Sequence, residues 1–188
     1  VGNPTVVIDE LGHRTEFTYD AMNRVLQTIE ADPDGAGPLT SPVTTNEYDG
    51  QGHLIRTIDA EAKVTQFVYD QQHRLVETID ADGQSIFHEY DNAGNLTANI
   101  DRLGRRTEYR YDERNRLAET INAEGGSREY LYDADNNKIA EIDENGVRTD
   151  YTYDARNRLT SSINALGGVV IQFTHKNRCA VLNGYAVV

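Results

Sequence analysis

The sequence has no tryptophan, one methionine, one cysteine and four prolines in 188 residues. A single cysteine, Cys179, excludes a framework of internal disulfides, and it leaves both exported and cytosolic settings open. There is no excess of basic charge. The formal net charge is −13 and the pI is near 4.7, which argues against nucleic acid or an anionic membrane surface as a partner. No apolar run approaches the roughly 20 residues that span a bilayer, and no signal peptide is visible. Apolar stripes at three-and-four spacing are absent too, so long amphipathic helices are not expected.

What the sequence does contain is a repeat. Tyr-Asp occurs at Tyr48-Asp49, Tyr69-Asp70, Tyr90-Asp91, Tyr111-Asp112, Tyr132-Asp133 and Tyr153-Asp154, each pair 21 residues after the last, with Tyr19-Asp20 standing 29 residues before Tyr48. Ten residues after each Tyr is an isoleucine: Ile29, Ile58, Ile79, Ile100, Ile121, Ile142 and Ile163. Six residues after it comes Leu, with Val25 and Lys138 as exceptions. Four residues after it comes a residue tolerant of positive φ (Asn23, Gly52, Gly94, Asn115, Asn136 or Asn157), with His73 as the odd one. A fixed period of this length means one supersecondary unit copied many times, built as a surface or wall and not around a single pocket.

Polar and apolar residues alternate on both sides of each turn signal, so each unit reads as two short antiparallel strands. An odd period would flip every second Tyr to the opposite face unless something in the unit restores parity. Pairing a three-residue loop, Glu113-Arg114-Asn115, with a two-residue loop, Glu124-Gly125, restores it. That arrangement sets Tyr111 opposite Leu117, Thr107 opposite Ile121 and Tyr132 opposite Leu117, with all Tyr, Leu and Ile side chains on one face. The other face then carries Glu108, Arg110, Glu129, Asp150 and Thr120 among Leu26, Ile55, Val76 and Ile139, which makes it semi-polar. The expected fold is all-β: a continuous antiparallel hairpin ribbon of about fourteen strands, on the order of 65 Å wide, which must curl.

The repeat region is expected over 1–167, with an insertion near 31–42 that projects from the ribbon edge, followed by a degenerate repeat or irregular end over 168–188. Gly2-Asn3-Pro4 aligns with Gly94-Asn95-Leu96, so the first residues sit inside a repeat and the sequence is expected to be a piece of a longer array. Raw strand edges of such a piece are expected to self-associate.

No candidate chemistry stands out. Adjacent Tyr and Asp point to opposite faces of a strand, so they are not an acid–base pair; the Asp is expected to bond turn amides and the Tyr to pack. The arginines after the turn Asn (Arg24, Arg74, Arg116, Arg158) are expected to pair with rim carboxylates. Asp80-Ala81-Asp82-Gly83 and Asp143-Glu144-Asn145-Gly146 lack the spacing of calcium loops. His13, His53, His73, His88 and His175 read as scattered, and Cys179 has no partners fixed by the pattern, so neither a metal centre nor a nucleophile is expected. No cofactor is implied.

The string Tyr-x-Tyr-Asp-x-x-Asn-Arg-Leu, whole at Tyr109–Leu117 and Tyr151–Leu159, resembles the YD repeat of the Rhs (rearrangement hotspot) family. Related repeats occur in the C components of insecticidal toxin complexes, in wall-associated bacterial proteins and in teneurins. The resemblance covers about Gly2 to Gly167. It implies a ribbon spiralling into a hollow shell that, in bacterial members, encloses a toxin domain until delivery, with the rest of the shell and the cargo as partners. The implied setting is secreted or on a bacterial cell surface, reached through a secretion system. An adhesion or carbohydrate-binding module is the alternative implied by the cell-surface relatives. The aspartate-bearing motif that frees cargo in bacterial shells does not occur here, since Asp32-Pro33-Asp34-Gly35 is a mid-ribbon insertion. The resemblance therefore carries over no catalytic residue.

Overall fold

The computed structural model describes residues 2–33, 40–165, 169–174 and 178–180. Among them there is no helix and there are seventeen strands. The chain divides into two units, residues 1–88 and 89–188. The first contains β1 (Val6–Ile8), β2 (Arg14–Tyr19), β3 (Val25–Ile29), β4 (Val43–Tyr48), β5 (Leu54–Ile58), β6 (Val64–Tyr69), β7 (Leu75–Ile79) and most of β8 (Ser85–Tyr90). The second contains β9 (Leu96–Ile100), β10 (Arg106–Tyr111), β11 (Leu117–Ile121), β12 (Ser127–Tyr132), β13 (Lys138–Ile142), β14 (Arg148–Tyr153), β15 (Leu159–Asn164), β16 (Val169–Thr174) and β17 (Arg178–Ala180). Within each unit every strand pairs antiparallel with its neighbours in the sequence.

Both turns of the repeat have the same form, which corrects the expected pairing of unlike loops. At the Tyr-Asp end, the Asp112 amide donates to Arg116 O at 2.9 Å and the Asn115 amide donates to Asp112 O at 3.0 Å. At the Ile-Asp end, the Asn122 amide donates to Gly126 O at 2.9 Å and the Gly125 amide to Asn122 O at 3.0 Å. Each is a three-residue loop whose last residue has positive φ, 58° at Asn115 and 87° at Gly125. Ala62 and His73, which break the Gly and Asn patterns, are bent the same way, with φ of 61° and 65°.

Parity is restored by a bulge instead. Tyr111 pairs with Leu117, as expected, but Arg110 pairs with Glu119, Tyr109 with Thr120 and Glu108 with Ile121, so Ala118 has no partner. The same shift occurs before Tyr19, Tyr48, Tyr69, Tyr132 and Tyr153. Within each unit, one extra residue per repeat keeps successive tyrosines on one face, and it moves the isoleucines to the other. Ile121 lies opposite Glu108 and Ser127, not Thr107, and Thr120 joins the tyrosine face. In the β11–β12 register, Glu119 pairs with Glu129 and Thr120 with Arg128, which carries Leu117 past Tyr132 and leaves the two unpaired.

The sheet is thin. Ala98 and Ala140 are the only fully buried apolar side chains among the described residues. Each lies low beside longer neighbours, Ala98 against Glu108 and Ala140 between Leu131 and Asp150. Across the 31–42 insertion the chain closes at its base, where the Glu30 amide donates to Pro42 O at 2.9 Å; the tip of the expected projection lies outside the described residues. So does most of the expected irregular end.

Candidate functional site: the tyrosine–aspartate hairpins

Each repeat tyrosine ends its strand, and within each unit its hydroxyl is aimed at the preceding repeat. Tyr69 donates to Leu54 O at 3.0 Å, Tyr111 to Leu96 O at 2.9 Å, Tyr132 to Leu117 O at 2.9 Å and Tyr153 to Lys138 O at 2.9 Å. Tyr19 reaches Pro4 O at 2.8 Å, and Tyr48 reaches across the insertion to Val25 O at 3.0 Å. Tyr90 stands at the equivalent end of β8. The carbonyl chosen is always that of the Leu slot; at Val25, Leu54, Leu117 and Lys138 it lies next to the bulge, where the ladder leaves an acceptor for a side chain to fill. Burial raises the hydroxyl pKa of Tyr69, Tyr111 and Tyr132.

The aspartate organises its own turn. Asp112 Oδ1 accepts the amides of Arg114 at 2.8 Å and Arg116 at 3.0 Å, while Oδ2 accepts Arg116 Nε at 2.7 Å. Asp20, Asp49, Asp70, Asp133 and Asp154 bond the same two amides in their turns, and Asp91 bonds Asn95 through both its amide and its side chain. The Ile-Asp turns copy the device: Asp101 Oδ1 takes the amides of Leu103 and Arg105, both at 2.9 Å, and Asn122 takes those of Glu124 and Gly126. These bonds favour the ionised form. The His53 side chain, then the turn amides, bring Asp49 down to about 2, and the Arg158 guanidinium with the amides of Arg156 and Arg158 does the same for Asp154.

The residue after the positive-φ position ties one repeat to the next, a role its sequence context does not announce. The guanidinium of Arg24 lies 4.4 Å from the centre of the Tyr48 ring, that of Arg116 lies 4.6 Å from Tyr132, and His53 stacks on Tyr69 at 4.7 Å. The same side chains reach the following turn: Arg116 Nη1 donates to Asp133 O at 2.9 Å, and Asn95 Nδ2 donates to Asn115 Oδ1 at 3.0 Å. Spacings of 20 residues, one short of the repeat, are therefore contacts between turn tips. This brings His53 and His73 together, although they read as scattered in the sequence.

The isoleucines of the signature lie at the other strand ends and on the other face. Ile29 pairs with Val43, Ile58 with Val64, Ile79 with Ser85, Ile100 with Arg106, Ile121 with Ser127, Ile142 with Arg148 and Ile163 with Val169. Among the described residues no three His, Cys, Asp or Glu side chains close on a point that could hold a metal ion. The geometry is that of a self-stapling module repeated along the chain.

The model of the teneurin YD-shell family matches residues 5–178. Among solved structures, the TcdB2–TccC3 complex without its hypervariable C-terminal region is similar with a TM-score of 0.65 and 20% identity, over 80% of this chain and 9% of that chain. The Tc holotoxin pore of Photorhabdus luminescens is similar with a TM-score of 0.63 and 20% identity, again over 80% of this chain and 9% of that chain. At that identity the likeness speaks for the fold. No curated protein matches the sequence significantly. With the family match covering most of its length, the chain belongs to the teneurin YD-shell family.

Proposed function

We propose that this chain is a length of shell wall from an Rhs-type YD-repeat protein, and that the complete shell isolates an enclosed cargo domain from its surroundings. The observation that carries the reading is the hydroxyl-to-carbonyl bond from each repeat to the one before it, six times over at 2.8–3.0 Å. A module that staples itself and its neighbour extends without limit and needs no central core, which suits a wall. Likeness in fold to chains of the TcdB2–TccC3 complex supports the same reading. The partners are the remaining shell and the cargo, the route is export from a bacterium, and the wall itself performs no catalysis. Separated from its neighbours, the piece self-associates through its strand edges.

Limited proteolysis of the full-length protein tests the enclosure. The cargo region should survive protease that digests the same region expressed alone. Replacing Tyr111 and Tyr132 by Ala, which removes two inter-repeat bonds, should render it cleavable. Cargo cut equally fast inside and outside the intact protein would overturn the proposal.

A further inference from the structure

One pair of turns in the first unit differs chemically from the others. In the second unit, the residue after the positive-φ position and the positive-φ residue of the next turn meet as Asn95 with Asn115, Arg116 with Asn136, and Asn137 with Asn157, at 3.0–3.1 Å. In the first unit the same two slots hold His53 and His73, whose Nε2 and Nδ1 atoms lie 3.1 Å apart. The rings stack at 4.8 Å with a 26° tilt. The other nitrogen of His53, Nδ1, is 2.8 Å from Asp49 Oδ2.

A carboxylate on Nδ1–H holds an imidazole in the tautomer whose Nε2 lone pair is available, and this is how metal-binding histidines are oriented. Two nitrogens each about 2.0–2.1 Å from one ion, at an angle near 90–110°, stand about 2.9–3.4 Å apart, which brackets the separation seen here. We propose that His53 and His73 form a two-histidine site for a divalent transition-metal ion of the Ni²⁺, Cu²⁺ and Zn²⁺ class, oriented by Asp49. These are the ions that imidazole ligands suit. Loading moves the proton on His73 Nδ1 to His73 Nε2 by way of solvent, so that both rings stay neutral, and a turn of His73 about its terminal torsion aims both lone pairs at the ion. Since no third His, Cys, Asp or Glu among the described residues closes on the point, water fills the other positions and the ion remains exchangeable. The site bridges two successive turns, so the ion ties one repeat to the next. The inference is independent of the enclosure reading.

Titration of the chain with Ni²⁺ alone, followed by calorimetry, tests it. One equivalent should bind, and the thermal midpoint should rise with Ni²⁺ because only the folded pair chelates. His73→Asn and His53→Arg install residues that the repeat uses in those slots, so the fold should be retained. Each should weaken binding tenfold or more. Asp49→Asn keeps a turn of the kind Asn122 makes and should weaken binding about tenfold through lost orientation. His13, bonded to Asp9 Oδ2 at 2.9 Å with no second imidazole against it among the described residues, is the internal control; His13→Asn should change nothing. A wild-type chain that shows no binding step, or a step of unchanged affinity in both His53→Arg and His73→Asn, would overturn the proposal.

Discussion

The repeats ending at Tyr111 and Tyr132 share a backbone and differ in what they place on the tyrosine face. Both tyrosine hydroxyls reach a carbonyl at 2.9 Å, both are preceded by the same bulge, and both aspartates bond two turn amides. Around Tyr111 that face carries Thr107, Leu117 and Thr120. Around Tyr132 the same three slots hold Arg128, Lys138 and Glu141. Lys138 Nζ lies 5.4 Å from the Tyr130 ring centre and 4.9 Å from that of Tyr151, and 2.5 Å from Glu141 Oε2. Glu141 also pairs with Arg128. A lysine in a leucine slot keeps its fold because the two other slots change with it. The backbone module is fixed by Tyr, Asp and the positive-φ residue; the face slots vary as sets.

The sharpest way to break the comparison is Glu141→Ala. It leaves Lys138 and Arg128 against the tyrosines without their shared anion. Breaking a buried pair costs about 3–5 kcal/mol, and with a third of Lys138 exposed we discount this to about 2 kcal/mol for solvent screening. The concerted change Arg128→Thr, Lys138→Leu and Glu141→Thr should instead stay within about 1 kcal/mol of the parent, because an apolar set of similar volume replaces a partly desolvated ionic one. Urea unfolding measures both. A triple variant as unstable as Glu141→Ala would show that the slots do not act as a set.

The repeat, its two strands and its Tyr111–Leu117 register were legible in the sequence because turn chemistry and alternation agree there. The isoleucine face was not. Glu124-Gly125 suits a two-residue hairpin loop, yet a three-residue loop also ends on a left-handed Gly, so the dipeptide alone does not separate them. A two-residue loop without a bulge and a three-residue loop with one both keep the tyrosines together. A buried face would have decided the matter by exposing misplaced apolar residues. Here both faces are half-exposed: Ile163 is 37% exposed on one of them. Ile121 therefore carries no signal of its side. The His53–His73 contact was hidden for a different reason. A separation of 20 residues means nothing until the turn tips of successive repeats are known to touch.

The backbone half of the comparison predicts equality. Tyr111→Phe and Tyr132→Phe each delete one hydroxyl bond to a Leu-slot carbonyl and leave the ring in place. Each should cost about 1 kcal/mol, the same within error despite the different faces. A much larger loss at Tyr132 would mean that its hydroxyl is coupled to the Lys138 set, and the module would no longer be separable from the slots it carries.

The smallest effect is expected in the turn that departs from the pattern with no compensating set. Ala62 donates its amide to Asp59 O at 3.0 Å with φ of 61°, and Gly83 makes the same bond to Asp80 O at 3.0 Å with φ of 76°. A left-handed alanine costs about 1–2 kcal/mol, and glycine returns part of that through the freedom it adds to the unfolded chain. Ala62→Gly should therefore stabilise by about 0.5–1 kcal/mol and Gly83→Ala should destabilise by a similar amount, since open space surrounds a Cβ built at Gly83. Thermal unfolding of the two single variants and of the double exchange measures this. If Ala62→Gly lowers stability, the methyl of Ala62 makes a contact that the glycine turns lack, and the Ile-Asp turns are not interchangeable copies.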